Sequence, residues 1–134
     1  MDEPEFFVDR SLGRLQVPRL LRAAGWRLQT LAEVYGIPAD EAVEDVSWLE
    51  YAGSRGMPAL LKDERIRYRR AERRAFIEHQ VTAFVLTNAN ITAADAASLF
   101  VEHQDAIQRW CRRPGPLLVA VSGSGLRTID LGQD

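Results

Sequence analysis

Glu5-Phe6-Phe7-Val8-Asp9 is a short apolar run that stops at an acid, and Pro58-Ala59-Leu60-Leu61-Lys62-Asp63 repeats that pattern farther along the chain. Runs of this length without alternating polar positions read as strands covered on both faces. Trp26–Leu31 and Val81–Thr87 are two more, the latter closed by Asn88 and Asn90. Helical patterns fill the intervals. Val17–Ala24 has Pro18 in its first turn, an apolar stripe of Leu20, Leu21 and Ala24, and Gly25 as its stop. Asp45–Arg55 predicts a helix with Val46, Leu49, Ala52 and Gly53 inward and Gly56 as its stop. Between them, Ala32–Glu44 carries Gly36, Pro38 and four acids, and reads as a loop or a poorly formed helical turn.

The rest of the chain continues the alternation. A short helix is expected at about Ala71–Gln80, and one long helix over Ala93–Arg113, opened by Thr92 and Asp95 as a capping pair. Ala96, Leu99, Phe100, Ile107, Trp110 and Cys111 share one stripe of that helix, and Pro114-Gly115-Pro116 breaks it. Leu117–Ser122 and Leu126–Leu131 read as strands joined by a hairpin at Gly123-Ser124-Gly125. Strand–helix–strand alternation predicts an α/β fold, a three-layer α/β/α sandwich with a mainly parallel central sheet and a C-terminal antiparallel hairpin. Residues 1–134 are expected to form one domain, because the length leaves no room for a second core.

Composition narrows the function classes. The chain has 134 residues, 46% hydrophobic and 27% charged, with a mean hydropathy of -0.21. That excludes wholesale disorder and an integral membrane protein. No apolar run approaches the ~18–20 residues that span a bilayer, and the acidic start Met-Asp-Glu-Pro-Glu is unlike a secretory signal. A single cysteine, Cys111, excludes an internal disulfide framework and a cysteine-based zinc site. The expected location is the cytoplasm, with no membrane partner. Net charge is -2, yet residues 62–74 hold seven basic side chains against three acids. Such a local excess attracts polyanions, although a solvated helix face with internal pairs has the same composition.

The acids at the strand ends carry the chemistry. Asp9 and Asp63 each follow a strand, and Asp45 opens the helix leading into the second of these strands. Ligand sites in parallel sheets form at the carboxyl ends of strands. If those two strands are neighbours, three carboxylates meet at one rim, where a hard divalent cation offsets their repulsion. Such an ion suits phosphodiester hydrolysis, because it activates water without a Ser, Cys or His nucleophile. Each acid has a structural alternative: Asp45 as a helix cap, Asp63 as a turn residue, Asp9 as a buried partner of a counter-charge. Glu44 competes with Asp45 if the helix starts one residue away. Arg10, Lys62 and Arg65 lie beside the acids and suit either phosphate contacts or salt bridges. Asn88 and Asn90 suit a metal water, a phosphate or an Asx turn.

Other polar residues have simpler readings. His79 and His103 lack zinc-site spacing, and His103 lies in the apolar stripe with Cys111, where packing accounts for both. Gly123-Ser124-Gly125 lacks the length and Lys of a phosphate loop.

Phe7-Val8-Asp9-Arg10-Ser11-Leu12-Gly13, then Leu61-Lys62-Asp63 with Ile66, Leu86-Thr87-Asn88 and Arg112-Arg113-Pro114-Gly115-Pro116, resemble the PIN-like nuclease superfamily. The nearest likeness is to its compact bacterial group, which includes VapC-type toxins. The resemblance spans nearly the whole chain. It implies an α/β/α sandwich and a Mg2+- or Mn2+-dependent ribonuclease, often the toxin of a toxin–antitoxin pair. Asp9, Asp45 and Asp63 match the family's acids and would be catalytic as metal ligands. RNA and a cognate antitoxin protein are the implied partners, and a homodimer is compatible with the resemblance. The sequence departs from the family pattern in having Asp45 where a Glu is usual and no fourth acid, with Asn88 or Asn90 near that place. That departure keeps a second reading open, a PIN-like module that binds protein or nucleic acid with weak or no catalysis.

Overall fold

In the computed structural model, residues 3–62, 69–88 and 90–131 are described. The apolar runs form the strands expected of them. β1 (Glu5–Val8), β2 (Arg27–Thr30), β3 (Ala59–Leu61), β4 (Thr82–Leu86), β5 (Leu117–Ser122) and β6 (Gly125–Thr128) build one sheet in the order β2-β1-β3-β4-β5-β6. All neighbours are parallel except β5 and β6, which form the antiparallel hairpin across Gly123-Ser124. The chain runs from β1 out to β2, then returns past β1 to β3. β1 and β3 are therefore the pair at which strand order reverses, the place where open α/β sheets bind ligands.

Side chains alternate between two cores. Phe7, Ala59, Leu61, Ala83 and Val85 face α2 (Leu31–Tyr35), α3 (Asp45–Ser54) and α4 (Arg70–Glu78), through Leu31, Trp48, Leu49, Ala52 and Phe76. Phe6, Val8, Leu60, Phe84 and Val121 face α1 (Gln16–Ala23), α5 (Ala93–Glu102) and α6 (Gln104–Cys111), through Leu21, Ala96, Phe100 and Ile107. Helices on both faces make the sandwich three-layered. Leu60, Phe84 and Leu86 are fully enclosed, which explains why their strands carry no polar alternation.

Three expectations need correction. The segment 32–44 is more ordered than a loop. α2 is held by a capping box in which Thr30 and Glu33 satisfy each other's backbone N–H, and a 3-10 turn follows at Ala39–Ala42. Trp48, not assigned inward from the sequence, is buried beside Leu49, whereas Val46 is only half-buried. The long helix over Ala93–Arg113 is two helices. His103 leaves helical geometry at φ -101°, ψ 17°, and its imidazole Nε2 lies 2.9 Å from the Ser122 carbonyl at the end of β5. Thr92 does cap α5, accepting from the Asp95 N–H at 3.1 Å.

Candidate metal centre

Asp9 sits where β1 ends. Its backbone N–H donates to the Leu60 carbonyl at 3.0 Å, locking the position to β3. Asp9 then caps the 3-10 turn Arg10–Leu12, with Oδ2 accepting from the Ser11 N–H at 3.1 Å. The Ser11 Oγ in turn accepts from the Lys62 N–H at 3.0 Å. One serine thus ties the carboxyl ends of β1 and β3 together. Asp9 is 7% exposed, and its Oδ1 is buried with no hydrogen-bond partner. Burial pushes its pKa up, the Ser11 and Arg10 donors oppose that, and the Asp45 charge adds to it.

Asp45 is the first residue of α3 and is half-buried. It does not cap the helix backbone. Its Oδ1 accepts from the Trp48 indole N–H at 2.9 Å, and its Oδ2 lies 3.5 Å from the Arg69 guanidinium. Glu44, the competing acid, is exposed and makes no capping bond through its side chain. Asp45 is therefore the helix acid whose charge Asp9 senses. Asp63 and Arg65 lie outside the described residues.

The basic and amide candidates have varied settings. Arg10 turns away from the carboxylates. Its guanidinium donates to the carbonyls of Asp40 at 3.2 Å, of Glu41 at 2.7 Å, and of Val43. The counter-charge expected for Asp9 is therefore not Arg10, and a phosphate role for Arg10 would have to compete with these bonds. Arg14, unnoticed in the sequence, grips Asp40 through two bonds of 2.8 Å and reaches Glu41 at 3.1 Å. Arg14 holds the Asp40 carboxyl below the usual carboxylate range. The two arginines fasten the segment that delivers α3 to the turn after Asp9. Lys62 is half-buried at the end of β3. Asn88 and Asn90 are exposed, and the Asn88 Oδ1 accepts from the Asn90 N–H at 3.0 Å, an Asx turn.

Among the described residues no group of three or more His, Cys, Asp or Glu is placed to hold a metal. The donors that are described nevertheless fit a hard divalent cation. A buried carboxylate oxygen without a hydrogen, next to a second carboxylate, is costly unless a cation or proton joins it. Sequence reasoning missed Trp48, although its spacing of three residues from Asp45 puts both on one helix face. Among the remaining candidates, the Cys111 thiol is half-buried and burial pushes it up to about 12. No helix among the described residues is long and apolar enough to cross a membrane.

The comparisons with known proteins bear on this same edge. A model of the PIN-like domain matches residues 4–88, from just before β1 to the end of β4 and Asn88. A protein of Mycobacterium tuberculosis (strain ATCC 25618 / H37Rv), named "Putative ribonuclease VapC45", is 38% identical over 123 residues, covering 92% of this chain and 89% of the relative. No solved structure matches the chain. The matched segment contains β1, β3, Asp9 and Asp45, and with similarity extending over nearly the full length, this chain belongs to the PIN-like domain family.

Proposed function

We propose that this chain is a Mg2+- or Mn2+-dependent endoribonuclease and the toxin of a toxin–antitoxin pair. The observation that carries the reading is the buried, unpartnered Oδ1 of Asp9 beside Asp45, within the segment matched by the PIN-like family. The similarity to a protein named as a ribonuclease supports it. Asp9 and Asp45, together with Asp63, would hold the cation. Bound there, a divalent ion supplies an activated water and offsets the charge that builds on the phosphate during hydrolysis.

The chain's own residues prepare that site. The Ser11 N–H engages Oδ2 of Asp9 and leaves Oδ1 for the ligand. Burial excludes competing water from Asp9, and its raised pKa means that the cation would compete with a proton for this carboxylate, so that its binding should strengthen as pH rises. Lys62, Arg65 and the basic run to Arg74 would steer and grip the RNA backbone, a contribution that weakens with salt. Asn88 and Asn90 would add amide contacts at the end of β4. An antitoxin would cover the acidic rim or place an arginine in it.

The test is RNA cleavage by the purified protein with Mn2+. EDTA should stop it, and Asp9→Asn or Asp63→Asn should abolish it. Cleavage that survives both substitutions refutes the assignment. RNA binding without cleavage, and without Mn2+ affinity in the micromolar range, would favour the non-catalytic binding module.

A further inference from the structure

Trp48 is the largest fully enclosed side chain of the protein's described residues, at 1% exposure. Its surroundings are unusually specific. The indole stacks on Phe7, with ring centroids 5.5 Å apart and planes 12° from parallel. Phe7 stands two residues before Asp9 on β1, pairing with Ala59 of β3. On its other side the indole N–H donates to Oδ1 of Asp45 at 2.9 Å. One rigid ring system is therefore braced against the strand that presents the first acid and bonded to the second acid. Packing alone would be met by Phe or Leu at position 48. Only tryptophan adds a donor that reaches Asp45, because a buried indole N–H needs a partner and here finds a carboxylate.

We infer that Trp48 is the positioning residue of the metal centre: its indole N–H fixes the rotamer of Asp45 so that Oδ1 is held and Oδ2, now 3.5 Å from the Arg69 guanidinium, is presented to a divalent cation that would displace that long contact. The inference rests on the proposed metal reading and adds to it the element that orients the ligand. Without that bond, Asp45 is a half-buried carboxylate at the first turn of a helix, restrained among the described residues by the 3.5 Å contact with an exposed arginine, Arg69. A single long contact of this kind gives little orientation. The indole bond is shorter, is buried on its donor side, and acts on the oxygen that Arg69 does not touch.

The test is Mn2+ affinity, followed by the electron paramagnetic resonance signal of free Mn2+, and tryptophan fluorescence. Trp48→Phe should weaken Mn2+ binding by about 10–100-fold, the usual cost of losing a hydrogen bond to a metal-ligating group. Mn2+ is a paramagnetic quencher, so it should quench the unsubstituted protein and leave Trp48→Phe, which retains Trp26 and Trp110, largely unquenched. Replacing Trp48 by 3-benzothienylalanine keeps the fused rings and removes only the N–H. It should keep the fold and show the same loss of affinity, and it serves if Trp48→Phe does not fold. Unchanged Mn2+ affinity in the benzothienyl variant, or quenching that persists in Trp48→Phe, overturns the inference while leaving the metal reading intact. If the unsubstituted protein binds no Mn2+, the metal reading itself fails, and the positioning role fails with it.

Discussion

Asp9→Asn tests the energetics of the candidate centre directly. Ionised Asp9 is buried with one oxygen unpartnered, and a buried polar group in that state costs about 1–3 kcal/mol, more when charged. Asparagine has the same shape and carries no charge, so in metal-free buffer near neutral pH it should stabilise the fold, by about 1–2 kcal/mol. For 134 residues, an unfolding entropy of about 2.1 cal/mol/K per residue makes 1 kcal/mol equal to roughly 3–4 °C in Tm. The variant should therefore melt about 3–8 °C higher. The sign reverses with metal. At a hundredfold excess over Kd, Mn2+ stabilises a single-site protein by about 2.7 kcal/mol, or roughly 10 °C here, and Asp9→Asn should lose most of that gain. The pH dependence follows from burial raising the Asp9 pKa. A raised native pKa means that the cost is absent below the ordinary carboxylate range and complete above the raised value. The metal-free advantage of Asp9→Asn should thus vanish below about pH 4 and grow as pH rises. Differential scanning calorimetry at several pH values, with EDTA or Mn2+, reads all of this. A metal-free variant less stable than the unsubstituted protein at pH 7.5, or equal Mn2+ shifts in both, would refute the reasoning.

Three further outcomes follow from the packing. Arg14→Met leaves buried Asp40 without its bidentate partner. Because Arg14 lowers the Asp40 pKa, the stability lost should be largest near neutral pH and shrink as pH falls through that lowered value, seen by circular dichroism in urea at several pH values. Gly53→Ala places a Cβ 2.5 Å from the His79 carbonyl and 2.6 Å from the His79 Cβ, where α3 meets the end of α4. Overpacking of this kind should cost about 1–3 kcal/mol in urea unfolding. Cys111, its thiol pushed up to about 12, should react with a disulfide reagent at pH 8 far more slowly in the folded protein than in urea. Equal rates would show that the thiol is not shielded.

The architecture was legible because the strands are enclosed on both faces. A run such as Val81–Thr87 has no other place in a domain of this size than the middle of a sheet. The acids at the strand ends were legible for the same reason, since a charge directly after a buried run marks the edge where the chain regains solvent. Long-range partners left no local trace. His103 breaks the helix where its ring meets Ser122, nineteen positions along, while the apolar spacing on either side continues as if unbroken. Arg10 looked like a neighbour of Asp9 because it follows it in sequence, yet its bonds reach carbonyls about thirty positions away. Trp48 was overlooked because the partner of its ring, Phe7, lies on β1, far from α3 in sequence, whereas its relation to Asp45 is a simple helical spacing.

The grip of Arg10 on the 40–43 segment has an evolutionary consequence. Its acceptors are main-chain oxygens, which every amino acid possesses. Mutations at Glu41 or Val43 can therefore reshape this border of the acidic edge while the anchorage of α3 stays intact. Arg10 has no such latitude: a lysine offers one donor centre in place of a planar fork. The border is free to diversify, and its fastener is not.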